Sequence, residues 1–134
     1  MASTTFSGPV RSEGGFQMAT KNATTGAITS NAAYGKAIRG CVQSLSGAGA
    51  VDLTNLVTEL TTTGANALTL ADGTTSGQVK IVNMIVDGGD GTLTPTTFAN
   101  GTTITFDAVG ESATLVWNST IGWIATSVQG ATIA

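Results

Sequence analysis

After about residue 50 the chain falls into short runs in which apolar and polar residues alternate, and the rhythm changes near "SLSGAGAVDL" (Ser44 to Leu53). In "GQVKIVNMIVDGGDG" (Gly77 to Gly91), Val79, Ile81, Asn83 and Ile85 fall on one side of a period-two pattern, and Lys80, Val82, Met84 and Val86 on the other. A strand that is apolar on nearly both sides belongs at the centre of a sheet or at a contact between subunits. "NALTLADG" (Asn66 to Gly73) puts Leu68 and Leu70 on one face ahead of an Asp-Gly turn. Ile104 with Phe106, Ala113 with Leu115 and Trp117, and Trp123 with Ala125 continue the alternation across "DAVGES" and "NSTIG". Asn100-Gly101 has the signature of a type I′ hairpin, and Pro95 suits a strand start or edge. "VDLTNLVTELTT" (Val51 to Thr62) fits helical spacing through Leu53, Leu56, Val57 and Leu60, but its valines and threonines favour a strand. The pattern predicts an all-β body over residues 49–134, a small antiparallel β-sandwich or barrel of jelly-roll type.

Residues 1–48 lack this rhythm and read as an extended N-terminal arm and linker. "NAAYGKAIRGCVQSL" (residues 31–45) predicts a short helix with Asn31 as its cap. Gly35 and Gly40 weaken it by about 1 kcal/mol each relative to alanine. Further forward, "FSGPVRSEGGFQ" (Phe6 to Gln17) has two aromatic anchors, a proline, three glycines and a solitary arginine, with no periodicity of either kind. Such a segment cannot bury itself, so either it is disordered or its order comes from a surface supplied by something else.

Composition sharpens this picture. The 134 residues fit one ordinary domain, and only 10% are charged, far below the roughly 25% usual for soluble domains. Twenty-five threonines and ten serines take the polar role. A hydroxyl-covered surface repels its neighbours little, which suits close packing against copies of itself or against a partner shell. Residues 1–50 carry Arg11, Lys21, Lys36 and Arg39 against Glu13, a net +3. Residues 51–134 carry Lys80 against Asp52, Glu59, Asp72, Asp87, Asp90, Asp107 and Glu111, a net −6, and the two sum to the overall −3. The dispersed cations are too few for a nucleic-acid face. No run approaches the roughly 18 apolar residues of a spanning helix, and the N-terminus lacks signal-peptide blocks, so a soluble protein away from membranes is expected. The body is small for a self-sufficient core, and oligomerisation would supply missing burial.

Candidate chemistry is sparse. Histidine is absent, which removes Ser-His and Cys-His pairs and the usual zinc sites. Cys41 is the only cysteine and reads as a small buried apolar residue. "DGGDG" (Asp87 to Gly91) resembles a calcium loop, but two carboxylates are few for a hard cation, and a glycine-rich turn is the plainer reading. Asp107 and Glu111 form an acid/base pair only formally, since nothing apolar nearby would raise either pKa. Trp117 and Trp123 suit core or interface packing, with a sugar-stacking platform as the alternative. Val82 and Met84 are read with them as packing residues. The expectation is no enzyme, no cofactor and no metal.

In "MASTTFSGPVRSEGGFQ" and in the stretch from "LTLADG" to the end, the chain resembles small virion proteins of tailed bacteriophages, especially those of marine and cyanobacterial hosts. The resemblance rests on "SGPVRS" (Ser7 to Ser12), "LADG" followed by "GQ" (Gly77-Gln78), "TPTTFANGTTITFD" (Thr94 to Asp107) and a "GW" strand near the end (Gly122-Trp123). Similarity to head decoration, or cement, proteins implies a homotrimeric β-domain on the outer surface of the capsid, with no catalytic residues. An arm from each subunit would run across the major capsid protein, with Phe6, Pro9, Val10, Arg11 and Phe16 as its contacts. Phenylalanine anchors, a stiffening proline and close-approaching glycines suit strand addition or groove binding, and Arg11 suits a charge-assisted contact to a carboxylate. A head or tail fibre component and a carbohydrate-binding module are the alternative functions.

Overall fold

The computed structural model describes residues 16–21, 24–34 and 38–134, all of them strand, turn or loop with no helix. The chain divides into two compact units at Gly40/Cys41. In the first, β1 (Phe16–Lys21), β2 (Ile28–Tyr34) and β3 (Ile38–Arg39) form an antiparallel sheet in the order β1-β2-β3. Gly26, at a φ of 73°, helps turn the chain between β1 and β2. Where a helix is expected over 31–45, the described residues instead supply the end of β2, β3 and a further strand from Val42, and the second compact unit begins at residue 41 rather than 49. Gly35, Gly40 and the β-branched Ile38 and Val42 outweigh the alanines that suggested a helix.

The second unit carries β4 (Val42–Ser46), β5 (Gly49–Val51), β6 (Val57–Thr61), β7 (Asn66–Leu70), β8 (Val79–Val86), β9 (Gly91–Pro95), β10 (Ile104–Phe106), β11 (Ser112–Asn118), β12 (Gly122–Gln129) and β13 (Thr132–Ile133). They make two five-stranded sheets packed face to face, in the orders β12-β11-β8-β6-β4 and β13-β10-β9-β7-β5. This is the expected sandwich, and it is open rather than a closed barrel. The sheets are mixed, which departs from the antiparallel jelly-roll expectation. From β4 to β9 the chain passes to the opposite sheet after every strand, so β4, β6 and β8 pair in parallel, and so do β5, β7 and β9. Only the later strands, β10 to β13, add antiparallel ladders.

Short-range alternation does not distinguish these arrangements, because each strand has one buried face in either. The corners do. Only Gly47 and Ala48 separate β4 from β5, and Gly47 sits at a φ of 75°. Successive corners are hydrogen-bonded to one another: Gly47 N donates to Thr61 O, Thr62 N to Val86 O, and Asn66 N to Asp90 O. At the other end, Val57 N donates to Cys41 O and Ile81 N to Leu56 O. Corner backbone groups that would otherwise be orphaned at the sheet ends are thus paired by the next layer.

Between the sheets lies one core, formed by Leu60, Val82, Met84, Ala113, Leu115, Trp117 and Trp123 from one side and Val51, Leu68, Leu70, Leu93, Ile104 and Phe106 from the other. Each fully buried aliphatic or aromatic side chain contributes roughly 1.5–3 kcal/mol. The Asn100-Gly101 pair does not make a tight hairpin. β9 and β10 are joined by residues 96–103, and no non-glycine residue among those described has a positive φ, which a type I′ turn requires at both central positions. Asn100 Oδ1 instead accepts from Ala125 N at 2.8 Å, and Thr102 N and Thr103 N both donate to Ala134 O, so the loop is tied to β12 and the chain end.

Two glycines are set by close approach. A Cβ at Gly73 would lie 2.4 Å from Trp117 Cγ, and one at Gly88 would lie 2.5 Å from the Thr62 carbonyl oxygen. Gly73→Ala and Gly88→Ala should each lower unfolding free energy by about 1–3 kcal/mol through overpacking. Urea denaturation checks this; a midpoint within error of the wild type would show that these contacts do not constrain the fold.

Candidate functional site

Three of the short motifs in the body, "LADG", "GQ" and "GW", meet at two tryptophans, while "SGPVRS" lies outside the described residues. Trp117 on β11 faces Trp123 on β12, with ring centroids 5.4 Å apart and planes tilted by 59°. Trp123 is fully buried and Trp117 is 7% exposed. The Trp123 indole N–H donates to Ala71 O at 2.9 Å. In "LADG", Leu70 enters the core, Ala71 supplies that acceptor, Asp72 Oδ2 accepts from Thr97 Oγ1 at 3.1 Å, and Gly73 leaves room for the Trp117 ring. In "GQ", Gly77 N donates to Trp117 O, and Gln78 O accepts from Trp117 N. In "GW", Gly122 at a φ of 93° passes so close to Thr97 that a Cβ would lie 2.6 Å from its carbonyl oxygen. These motif residues build the fold. Both rings are enclosed in the core with the buried Val82 and Met84 and present no open face to a sugar.

The two carboxylate-bearing turns are likewise structural. Asp87 Oδ1 accepts from Gly89 N, Gly88 N donates to Thr62 Oγ1, and Asp90 O accepts from Asn66 N. Glu111 Oε2 accepts from Asp107 N at 2.7 Å and closes the turn between β10 and β11. Among the described residues, no three acidic, cysteine or histidine side chains gather in a group that could hold a metal ion. No helix among them is long and apolar enough to cross a membrane. Cys41 is half-buried rather than buried.

One ionic group lies inside the sandwich. Lys80 belongs to the inward-facing side of β8, between Val82 and the 52–56 loop, and is 1% exposed. Its ammonium donates to Asn55 O at 2.8 Å and lies 3.7 Å from Asp52 Oδ1. Asp52 Oδ1 also accepts from Thr54 N and Asn55 N, and its Oδ2 accepts from Asn55 Nδ2. Gln43 Oε1 accepts from Asp52 N and from the buried Thr58 hydroxyl, while Gln78 Nε2 donates to Leu53 O. Every buried side-chain polar atom among the described residues has a partner. Burial pushes the Lys80 ammonium below its ordinary pKa, with Asp52 opposing. Burial pushes the Asp52 carboxyl up, but the Asn55 hydrogen bonds, the Lys80 charge and the Thr54 N–H together bring it below the usual carboxylate value. The signal for this latch in the sequence was a lysine in phase with Val82 and Met84, which requires acceptors inside the core.

Outside the core, the sandwich has two unlike faces. Ala50, Ala67, Thr69, Thr92, Thr94, Thr105 and Thr132 point outward from the β13-β10-β9-β7-β5 sheet. They align in two ranks, Ala50-Thr69-Thr94 and Ala67-Thr92-Thr105-Thr132. The opposite sheet is mixed: Val42, Val57 and Ile81 align and continue into Thr114 and Ser127, Val79, Val116 and Ile124 form a second rank, and Ser44, Glu59, Asn83 and Ser112 form a polar row beside them. Of the sequence-predicted contact residues, Phe6, Pro9, Val10 and Arg11 lie outside the described residues. Phe16 opens β1, with only its backbone described.

Fold and site together define an all-β two-sheet sandwich with structural motifs and contrasting outer faces. No protein-family model matches the chain, and no curated protein matches it either.

The latch makes stability pH-dependent. Asp52 has a depressed folded pKa, so its contribution is present above the unfolded carboxylate value and is lost as pH falls through the lower folded value. Lys80, also depressed, costs stability while protonated, and that cost lifts as pH rises from its lowered value toward the ordinary lysine range. Asp52→Ala should cost about 1–3 kcal/mol at neutral pH, because it strands several donors. Asp52→Asn, which keeps an acceptor without the charge, should flatten the acid limb of a plot of denaturation midpoint against pH. An unchanged acid limb would show that Asp52 does not carry the dependence.

Proposed function

We propose that this chain is a non-enzymatic structural protein of a tailed-phage virion that decorates the outside of the capsid. In this reading its N-terminal segment binds the major capsid protein, and the sandwich bridges neighbouring capsomers and stabilises the shell. The observation that carries the proposal is the fate of the motif residues. The short motifs "LADG", "GQ" and "GW" are spent on the two-tryptophan corner, and Ile104 and Phe106 of "TPTTFANGTTITFD" are spent on the core, so the resemblance in the body concerns the kind of sandwich built. The functional burden then falls on surfaces, and those of the body carry few charges: threonine and alanine on one side, and valine and isoleucine beside uncharged polar residues and Glu59 on the other, with the remaining carboxylates in turns and loops. Many weak contacts made by many copies would add to a firm attachment by avidity.

A fibre component of the head or tail is favoured by one specific feature, the parallel stacking of β4 to β9. Layers of that kind can be extended by adding further turns of chain. A carbohydrate-binding module using Trp117 and Trp123 loses its support, because those rings are enclosed.

The decoration reading is tested with full-length chain added to particles of the encoding phage from which the protein has been stripped. Rebinding that is lost on deleting residues 2–15, with the far-ultraviolet circular dichroism of the truncated chain unchanged, is the expected result. Equal rebinding by the truncated chain would remove the capsid-binding role of the N-terminal segment.

A further inference from the structure

We propose that Asn100-Gly101 is a site of spontaneous deamidation, at which Asn100 turns into aspartate and isoaspartate and the 96–103 loop loosens from β12. The proposal does not depend on the capsid reading. Asn100-Gly101 is the only Asn-Gly pair in the chain. Both residues are exposed and lie outside the strands. Each is nonetheless fixed by the fold. Beside the edge strand β12, Thr97 O accepts from Trp123 N, Ala99 N donates to Trp123 O, and Asn100 Oδ1 accepts from Ala125 N at 2.8 Å. The Asn100 carboxamide thus takes the place that a further backbone carbonyl would hold along an edge that would otherwise stay unpaired. Gly101 passes so close to the chain end that a Cβ would lie 2.5 Å from Ala134 O and 2.8 Å from Ile133 Cγ2. The loop therefore requires an acceptor at one position and no side chain at the next.

That combination assembles a reaction. The Gly101 N–H makes no hydrogen bond within the described residues, and glycine has no Cβ to hinder approach to the neighbouring side chain. Once base removes the Gly101 amide proton, the nitrogen adds to Asn100 Cγ. The Ala125 N–H, already on Oδ1, stabilises that oxygen as it gains negative charge. The Gly101 N–Cγ bond forms, the Cγ–Nδ2 bond breaks, and Nδ2 leaves as ammonia with the proton that Gly101 N gave up. The resulting succinimide takes up one water. Opening at Cγ gives aspartate, and opening at the main-chain carbonyl carbon gives isoaspartate. The other described asparagines lack this arrangement. Asn118 precedes Ser119, whose N–H donates to Ser76 Oγ at 2.9 Å. Asn31, Asn66 and Asn83 lie in strands, and Asn55 holds Asp52 through Nδ2 and precedes the bulky Leu56. In isoaspartate the backbone gains a methylene between two pinned points, Ala99 N on Trp123 O and Thr102 N on Ala134 O. The segment takes up that length by giving up the contact with Ala125 N, whose acceptor atom has become part of the main chain.

The test is peptide mapping of the full-length folded chain, incubated at neutral and at mildly alkaline pH in heavy-oxygen water, with fragmentation that separates aspartate from isoaspartate. Asn100 should convert to both products, each carrying one heavy oxygen, faster at the higher pH and ahead of Asn66, Asn83 and Asn118. The same chain unfolded in guanidinium chloride sets the reference, and the folded chain should convert at no less than about a tenth of that rate. An Asn100 that stays intact, one that converts no faster than Asn118, or a folded rate below that fraction overturns the proposal. The isoaspartate form, separated from unmodified chain by ion exchange, should unfold at a lower urea concentration. Equal midpoints would overturn the loosening of the loop.

Discussion

The structure depends on one constraint of chain path: from β4 to β9 each strand is laid on the sheet opposite the one before it. A path of this kind brings strands two apart in sequence side by side and parallel, so both sheets grow together and every new layer closes over the same core. The corners must then be compact and satisfy their own backbone. They do so through Gly47 and through hydrogen bonds from each corner to the next, such as Thr62 N to Val86 O and Asn66 N to Asp90 O. The antiparallel strands β10 to β13 finish the two sheets, and the two tryptophans lie where that later part meets the 71–78 loop.

Much of the fold could be read from local pattern. The alternation in Val79–Val86, Ile104–Phe106 and Ala113–Trp117 identifies strands and their buried sides, because period two is a property of one strand alone. Pairing is not. Parallel and antiparallel neighbours impose the same alternation, so the parallel ladders of β4 to β9 could not be seen in it. The region from Asn31 to Leu45 misled for a related reason: its alanines favour a helix, while the glycines and the strands it pairs with decide otherwise. Asn100-Gly101 misled because a turn-forming pair also suits a longer loop, in which Asn100 is held by Ala125 N.

Candidate chemistry was legible mainly by subtraction. A chain without histidine and with dispersed carboxylates offers little to assemble, and in the fold Asp87 and Glu111 serve turns, while Asp52 serves the Lys80 latch. No local pattern marks the latch, because its parts, Gln43, Asp52, Thr58, Gln78 and Lys80, come from four separated segments. The contrast between the two outer faces was also out of reach, since it needs the register of ten strands. Residues that look like a signature, among them Gly73, Gly122 and Trp123, are constrained by packing. The outward residues carry the freedom to meet partners.

The central claim is that the protein works by covering a shell in many copies and performs no reaction. Its number of copies per purified particle, measured by quantitative mass spectrometry against the major capsid protein, tests that claim most directly. The account predicts a ratio near one to one. A ratio of a few per hundred would contradict it and move the protein to a vertex or to the tail.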